Sequence, residues 1–236
     1  MINENQKRSD RFKMDDYRVI LLAGGKSSRM GYPKGLLSFM GKLWLNQQLD
    51  WISKVGIKEV CLVIGFDIDI YMEKIPWIVE GAAKKGFARH LSGLNVQVIV
   101  NRQPELGSFS SLRCGILSIL ESFPKKGVFI LPIDIPCPKK IVWEQLVRKI
   151  EEDNLTVVSP RFNSKGGHPV VMSYSFLEAL VRIPVIGENS RLDKQIYTEP
   201  NKGTVDVNDF RVGLNLNNPE QWESFNHFFS GNCSII

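Results

Sequence analysis

The stretch Val19-Ile20-Leu21-Leu22-Ala23-Gly24-Gly25-Lys26-Ser27-Ser28-Arg29-Met30-Gly31-Tyr32-Pro33-Lys34 decides the fold. Its first four residues are continuously apolar, the pattern of a strand covered on both faces. Such strands belong to parallel sheets flanked by helices. The strand runs straight into a loop rich in glycine, hydroxyl and cationic residues. Gly24 and Gly25 lack a Cβ, so backbone N–H groups there can approach phosphate oxygens closely. Ser27 and Ser28 add hydroxyl donors, Arg29 a planar fork and Lys34 a point charge. The loop reads as a cradle for a triphosphate.

Spacing excludes two other phosphate loops. A P-loop needs G-x-x-x-x-G-K-[ST]; Gly25-Lys26-Ser27 supplies its end, but its first glycine would fall on Ile20. A dinucleotide fingerprint G-x-G-x-x-G fails because Gly24 is followed by Gly25 and then Lys26. What remains is L-A-G-G-x-S-x-R-M-G-x-x-K. This loop resembles the signature of the MobA-like and MocA-like NTP transferases, which attach a guanylyl or cytidylyl group to molybdopterin.

Apolar runs alternate with amphipathic stretches on either side of the loop. The patterns predict strands at Tyr17–Leu22, Val60–Ile64, Val96–Val100, Val128–Ile133, Thr156–Ser159 and Pro169–Met172, with short late ones at Gly203–Val207 and Val212–Leu216. They predict helices at Trp44–Val55, Phe109–Glu121, Lys139–Glu152, Ser175–Val181 and Pro219–Phe229, the last with Asn218 as cap and Pro219 in its first turn. The long connection Phe66–Asn95 carries Tyr71, Ile75, Trp77, Ile78, Phe87 and Leu91, so extra helical structure is expected there. The expectation is an α/β fold: a single Rossmann-like three-layer domain with a mostly parallel sheet, which the resemblance narrows to the nucleotide-diphospho-sugar transferase type. Its span is 17–230, between a disordered tail at 1–16 and a short tail at 231–236.

Composition fits this expectation. The 236 residues carry 43% hydrophobic and 23% charged residues and a formal charge of +5, ordinary for a globular protein and suited to anionic substrates. The pairs Lys84-Lys85, Lys125-Lys126 and Lys139-Lys140 read as solvated surface, not a nucleic-acid patch. There is no apolar run of membrane-spanning length and no secretory signal, so no membrane association is expected and the cytoplasm is the expected compartment. Cys61, Cys114, Cys137 and Cys233 form neither C-x-x-C nor a metal spacing with the histidines, so reduced thiols are expected. The terminal Cys233-Ser-Ile-Ile matches a prenylation box in form only.

Further pieces carry chemistry. The run Val128–Ile133 ends in Asp134, and a carboxylate at the end of a buried parallel strand faces the ligand crevice. Nucleotide chemistry needs Mg2+ held by one or two carboxylates plus phosphates. Asp134-Ile135-Pro136 resembles the family's D-x-P, although the family commonly has Gly or Cys where Ile133 stands. Asn215-Leu216-Asn217-Asn218-Pro219-Glu220 resembles the N-x-N-T-P-E box of guanylyl-type enzymes; cytidylyl relatives show D-x-D-T-P-E. Asn101 with Gly107, Ser110-Ser111-Leu112 and Gly115 resembles a cytidylyl-type stretch, and Gly167-His168-Pro169-Val170 resembles the family's G-H-P-V.

The resemblance implies a Mg2+-dependent nucleotidyltransferase that moves NMP from CTP or GTP to a phosphorylated acceptor such as molybdopterin and releases pyrophosphate. It implies Arg29, Lys34 and Asp134 as catalytic residues. Leu22, Ala23, Gly24, Gly25, Ser28, Arg29, Lys34, Asn101, Ser110 and Ser111 would bind the nucleotide. Asp134 would hold the metal, with Asn215 and Asp206 as further candidates, and His168 and Asn217 would meet the acceptor. A molybdoenzyme or its chaperone is the implied protein partner. The base stays open between CTP and GTP, since the two sets of motifs disagree. A sugar or polyol phosphate is an alternative acceptor, and a non-catalytic nucleotide-binding or cofactor-handling protein is an alternative of another class. A dehydrogenase lacks its glycine spacing.

Overall fold

The computed structural model describes residues 12–83, 87–121 and 125–231. The terminal box from Cys233, the pair Lys84-Lys85 and most of both tails lie outside them. In chain order the larger elements are β1 (Tyr17–Ala23), β2 (Ser38–Phe39), β3 (Lys42–Leu43), α1 (Trp44–Val55), β4 (Glu59–Ile64), α2 (Ile68–Lys74), α3 (Pro76–Ala83), β5 (Phe87–Arg89), β6 (Asn95–Val100), α4 (Ser108–Leu120), β7 (Gly127–Pro132) and α5 (Lys140–Glu152). There follow β8 (Val157–Phe162), β9 (Lys165–Gly166), β10 (Val170–Met172), α6 (Tyr174–Val181), α7 (Leu192–Thr198), β11 (Lys202–Asp206) and α8 (Pro219–Gly231).

The main sheet runs β11-β8-β10-β7-β1-β4-β6-β5, with β9 paired to β8. β1 pairs in parallel with both β4 and β7, β4 with β6 and β8 with β11. β10 is antiparallel to β7 and β8, β5 to β6 and β9 to β8. Successive side chains of a strand point to opposite faces. Val19 and Leu21 of β1 therefore join one apolar cluster with residues of α1, α5 and α8, while Ile20 joins a second with residues of α4 and α6. Both faces are covered, which is why β1 and β7 read as unbroken apolar runs.

From β1 the chain steps outward through β4 to β6, then returns to place β7 on the other side of β1. This reversal opens a crevice beyond the carboxyl ends of β1 and β7, the place where such sheets bind ligands.

The main departures from expectation have local causes. Val212–Leu216 is not a strand: Phe210–Gly213 forms a 3-10 turn. Asp209 Oδ1 accepts the Arg211 N–H at 3.2 Å, and the two side chains pair in the interior, which outweighs the alternating pattern. Phe66–Asn95 holds α2 and α3 as expected but also the edge strand β5. The helix α7 escapes the sequence because only Leu192 and Ile196 mark a face in a polar run. Packing also reaches back past Tyr17, where a turn at Met14–Asp16 buries Met14.

Candidate active site

A cavity of about 930 Å³ opens at the crevice. One wall is the phosphate loop: Gly24, Gly25, Lys26 and Ser27 line it, with Lys34 behind them. A Cβ on Gly24 would stand 2.8 Å from Ser111 Oγ and 3.3 Å from the Gly65 nitrogen, so the loop is pressed against α4 and the end of β4. A Cβ on Gly25 would meet no protein atom, so its bare backbone serves the open side of the loop. Ser27 adopts a left-handed conformation at φ +53, and its Oγ accepts the Lys34 N–H at 3.3 Å. This folds the loop back on itself and brings Lys34 to the floor.

At that floor three distant segments converge. Leu22 of β1 lies beside Pro132 of β7, so Asp134 emerges next to the loop. Lys34 Nζ donates to Asp134 Oδ2 at 2.9 Å and to Asn217 Oδ1 at 2.7 Å. The Leu216 N–H donates to the Asp134 carbonyl at 2.9 Å, which ties the Asn-x-Asn segment to the carboxylate. Asn218 Oδ1 accepts from Gln221 N while Gln221 Oε1 accepts from Asn217 N, a reciprocal cap that begins α8. Capping and site-building are thus done by adjacent asparagines.

The far wall toward β6 is a polar platform. Asn101 Nδ2 donates to Ser110 Oγ at 2.8 Å and Ser111 Oγ at 3.0 Å. Ser110 Oγ in turn donates to the carbonyls of Gly107 and Gln103, so it is consumed in building the turn. Ser111 lines the cavity with Phe66, Pro104, Gly107, Ser108 and Phe109. The opposite wall carries His168, Ser159, Thr204, Lys202, Tyr197 and Arg191. His168 is half-buried there; loss of water pushes its imidazole down to about 4, against the upward pull of the Asp134 carboxylate. Cys137 is buried and its thiol is pushed up to about 12 by burial, so it is no nucleophile.

Other sequence candidates lie apart from this cluster. Ser28 and Arg29 sit exposed in the turn closed by the Met30 N–H to Ser27 carbonyl bond, outside the cavity wall. Ala23 is buried beneath the loop. Asn215 is exposed. Asp206 closes β11 at the sheet edge and forms a bidentate pair with Arg161 at 2.9 and 3.1 Å. Lys26, Phe66 and Tyr197 line the cavity but were not singled out from sequence. The one available signal was the cationic residue inside the glycine loop; nothing in local patterning marks the other two.

Among the described residues no three His, Cys, Asp or Glu side chains cluster as a metal cage. The donor set at the floor, one carboxylate with the Asn217 amide oxygen beside it, would suit a hard divalent cation that takes its other ligands from substrate phosphates and water. Cations also outnumber anions among the lining side chains: Lys26, Lys34, Arg191 and Lys202 against Asp134 and Asp193. That balance favours a polyanion.

Comparison with known proteins shows the family and the fold. The family model of the MobA-like NTP transferase domain matches residues 19–199. A molybdenum cofactor guanylyltransferase of Campylobacter jejuni is 24% identical over 215 residues, 90% of this chain and 97% of that protein. The crystal structure of molybdopterin-guanine dinucleotide biosynthesis protein A from Archaeoglobus fulgidus superposes with a TM-score of 0.64 at 17% identity, covering 91% of this chain and 99% of its own. The manganese complex of Rv0371C from Mycobacterium tuberculosis superposes with a TM-score of 0.59 at 17% identity, covering 89% and 98%. The chain belongs to the MobA-like NTP transferase family and is a nucleotidyltransferase.

Proposed function

We propose that this nucleotidyltransferase transfers GMP from GTP to the phosphate of molybdopterin and releases pyrophosphate, with Mg2+ as its metal. The carrying observation is the Lys34–Asp134–Asn217 cluster, with its 2.9 and 2.7 Å contacts, set beside the glycine loop. A phosphate oxygen of the acceptor attacks the α-phosphorus in line, and the bond to the bridging oxygen breaks. No covalent enzyme intermediate is needed, so the protein's task is positioning and charge stabilisation.

The backbone of Gly24 and Gly25 with Ser27 and Lys26 cradles the β- and γ-phosphates, and Ser28 and Arg29 reach them from the exposed turn. Lys34 turns from Asp134 toward the α-phosphate, where negative charge builds. Asp134 and the Asn217 amide oxygen would hold the cation. Mg2+ held by these residues would supply positive charge to offset that of the phosphate oxygens. Leu22, Ser111, Phe66 and Pro104 enclose the nucleoside, with Asn101 and Ser110 fixing that wall. His168, held neutral, donates a hydrogen bond to the acceptor. An acceptor phosphate with a second pKa near 6 is largely a dianion at neutral pH and needs no general base.

Guanine is favoured by the Asn215-x-Asn217 box and by the name of the relative that spans 90% of the chain. CTP is the second reading, favoured by Ser111 at the cavity wall within a cytidylyl-type stretch. For the acceptor, the apolar shelf of Leu192, Ile196 and Tyr197 suits a planar ring better than a sugar or polyol. The test supplies Mg2+, molybdopterin and either GTP or CTP, and follows pyrophosphate release and the mass of the dinucleotide. Turnover with GTP is expected. Binding without turnover would favour a cofactor-handling protein, and turnover with a polyol phosphate would replace the acceptor.

A further inference from the structure

The helix α1 turns one apolar stripe to the core: Trp44, Leu45, Leu49, Ile52 and Val55 are all buried. Gln48 falls inside that stripe and is 0% exposed. An amide buried among apolar side chains is costly unless its polar atoms are paired. Its partners all lie in one place. Gln48 Nε2 donates to the Ile135 carbonyl at 2.7 Å and, more weakly, to the Ile133 carbonyl at 3.4 Å; Gln48 Oε1 accepts the Cys137 N–H at 2.8 Å. Two acceptors on one side and a donor on the other fix which way the amide faces. One helical turn earlier, Trp44 Nε1 donates to the same Ile133 carbonyl at 2.6 Å.

These contacts bracket Asp134. After Pro132 ends β7, the Ile133 N–H still reaches Leu22 of β1, but the carbonyls of Ile133 and Ile135 and the Cys137 N–H take their partners from α1. From the other side the Leu216 N–H holds the Asp134 carbonyl. An aliphatic side chain at 48 would fill the same space with nothing to satisfy. The amide is explained by the loop it ties down.

We infer that Gln48 is a positioning residue for the site: from the core side it fixes the backbone of 133–137, so that Asp134 presents its carboxylate to the cation and to Lys34. The inference rests on Asp134 being the carboxylate that holds the cation. Residues one layer behind a ligand typically change metal affinity 10–100-fold when removed.

The experiment measures Mn2+ binding by electron paramagnetic resonance, nucleotide binding without metal by calorimetry, and thermal stability, all on the full chain. For Gln48→Met the Mn2+ Kd rises about 10–100-fold. GTP binding without metal is unchanged, because the glycine loop and Ser111 are untouched. Ile52→Val, a smaller cut in the same helix, lowers Tm and leaves the Mn2+ Kd alone. A Gln48→Met protein that behaves like Ile52→Val overturns the inference. Should Gln48→Met not fold, Trp44→Phe removes the bond to the Ile133 carbonyl together with part of the ring packing on Phe39, Trp51, Trp222 and Phe225; a weaker Mn2+ Kd supports the inference and a lowered Tm with unchanged Kd overturns it. Wild-type Mn2+ affinity in Asp134→Asn would instead remove the premise about Asp134, a result distinct from the failure of Gln48→Met alone.

Discussion

Replacing Lys34 with methionine separates two jobs that its ammonium performs. In the structure Nζ is bonded to Asp134 Oδ2 at 2.9 Å, with side chains only 13% and 22% exposed. A charge pair at about 4 Å in an effective dielectric of about 20 interacts by about 4 kcal/mol before desolvation is subtracted. Net, a hydrogen bond to a charged group contributes about 1.5–3 kcal/mol. A cation arriving at Asp134 must compete with this ammonium. Lys34→Met therefore binds Mn2+ more tightly in the absence of nucleotide, by about tenfold if about 1.4 kcal/mol of that competition is recovered. In catalysis the sign reverses. Losing one preorganised donor to developing charge typically costs 10²–10³ in kcat. The assays are Mn2+ titration without nucleotide and steady-state pyrophosphate release. Tighter metal binding together with a kcat lowered by about 10²–10³ is expected, with KM for the nucleotide moving far less. An unchanged kcat/KM would refute a transition-state role for Lys34, and weaker Mn2+ binding would refute the competition.

Three further outcomes follow from the same geometry. Ser110→Ala removes a hydroxyl bonded to Asn101, Gly107 and Gln103 and should lower stability by about 1–2 kcal/mol with nucleotide affinity little changed; Ser111→Ala should do the reverse, and calorimetry with thermal melts separates them. Asp206→Asn breaks an exposed pair with Arg161, so stability should move by less than about 1 kcal/mol and Mn2+ affinity not at all; a large loss of affinity would bring Asp206 to the cation. His168 takes up its proton near 4 when folded but near 6.5 when unfolded, so its contribution to stability is full above about 6.5 and is lost as pH falls toward 4. His90, lowered chiefly by burial, acts with the same sign, so His168→Gln should make Tm less sensitive to pH in that window without removing the dependence.

What could be read from sequence followed from the range of the forces involved. The loop from Gly24 to Lys34 and the aspartate ending an apolar run are local signals, because a strand covered on both faces and a close backbone approach both leave marks on adjacent residues. α1 could be bounded at Trp44–Val55 because its periodicity and the Gly56 that ends it are local too. Residues that meet only through tertiary folding left no such mark. Phe66 lines the cavity because β4 ends there, and Tyr197 because α7 lies along its mouth; neither fact follows from neighbours in the chain. Val212–Leu216 misled for a related reason: its alternation is real, but a buried Asp209–Arg211 pair bends the segment into a turn. Burial works against that Asp209 charge. The Arg211 fork and the Lys139 N–H outweigh it and hold the carboxyl below its ordinary range.

Asp209 and Gln48 also show why the aspartate could be found while its support could not. Asp209 Oδ2 accepts the Lys139 N–H at 2.8 Å, at the start of α5, just beyond the loop that carries Asp134. Gln48 holds the middle of that loop from α1, and Leu216 holds it from the segment before α8. The loop leaves the sheet after Ile133, so several of its backbone groups take side-chain partners from elsewhere. Those side chains lie between 70 and 89 positions away in the chain: Gln48 precedes the loop, Asp209 follows it. A polar residue inside an apolar stripe was the one mark that Gln48 left in the sequence. Gln48 interrupts the stripe of α1 where Leu45 and Leu49 continue it. Such an interruption indicates a buried backbone group in need of a partner, and here the partner is the loop bearing the carboxylate.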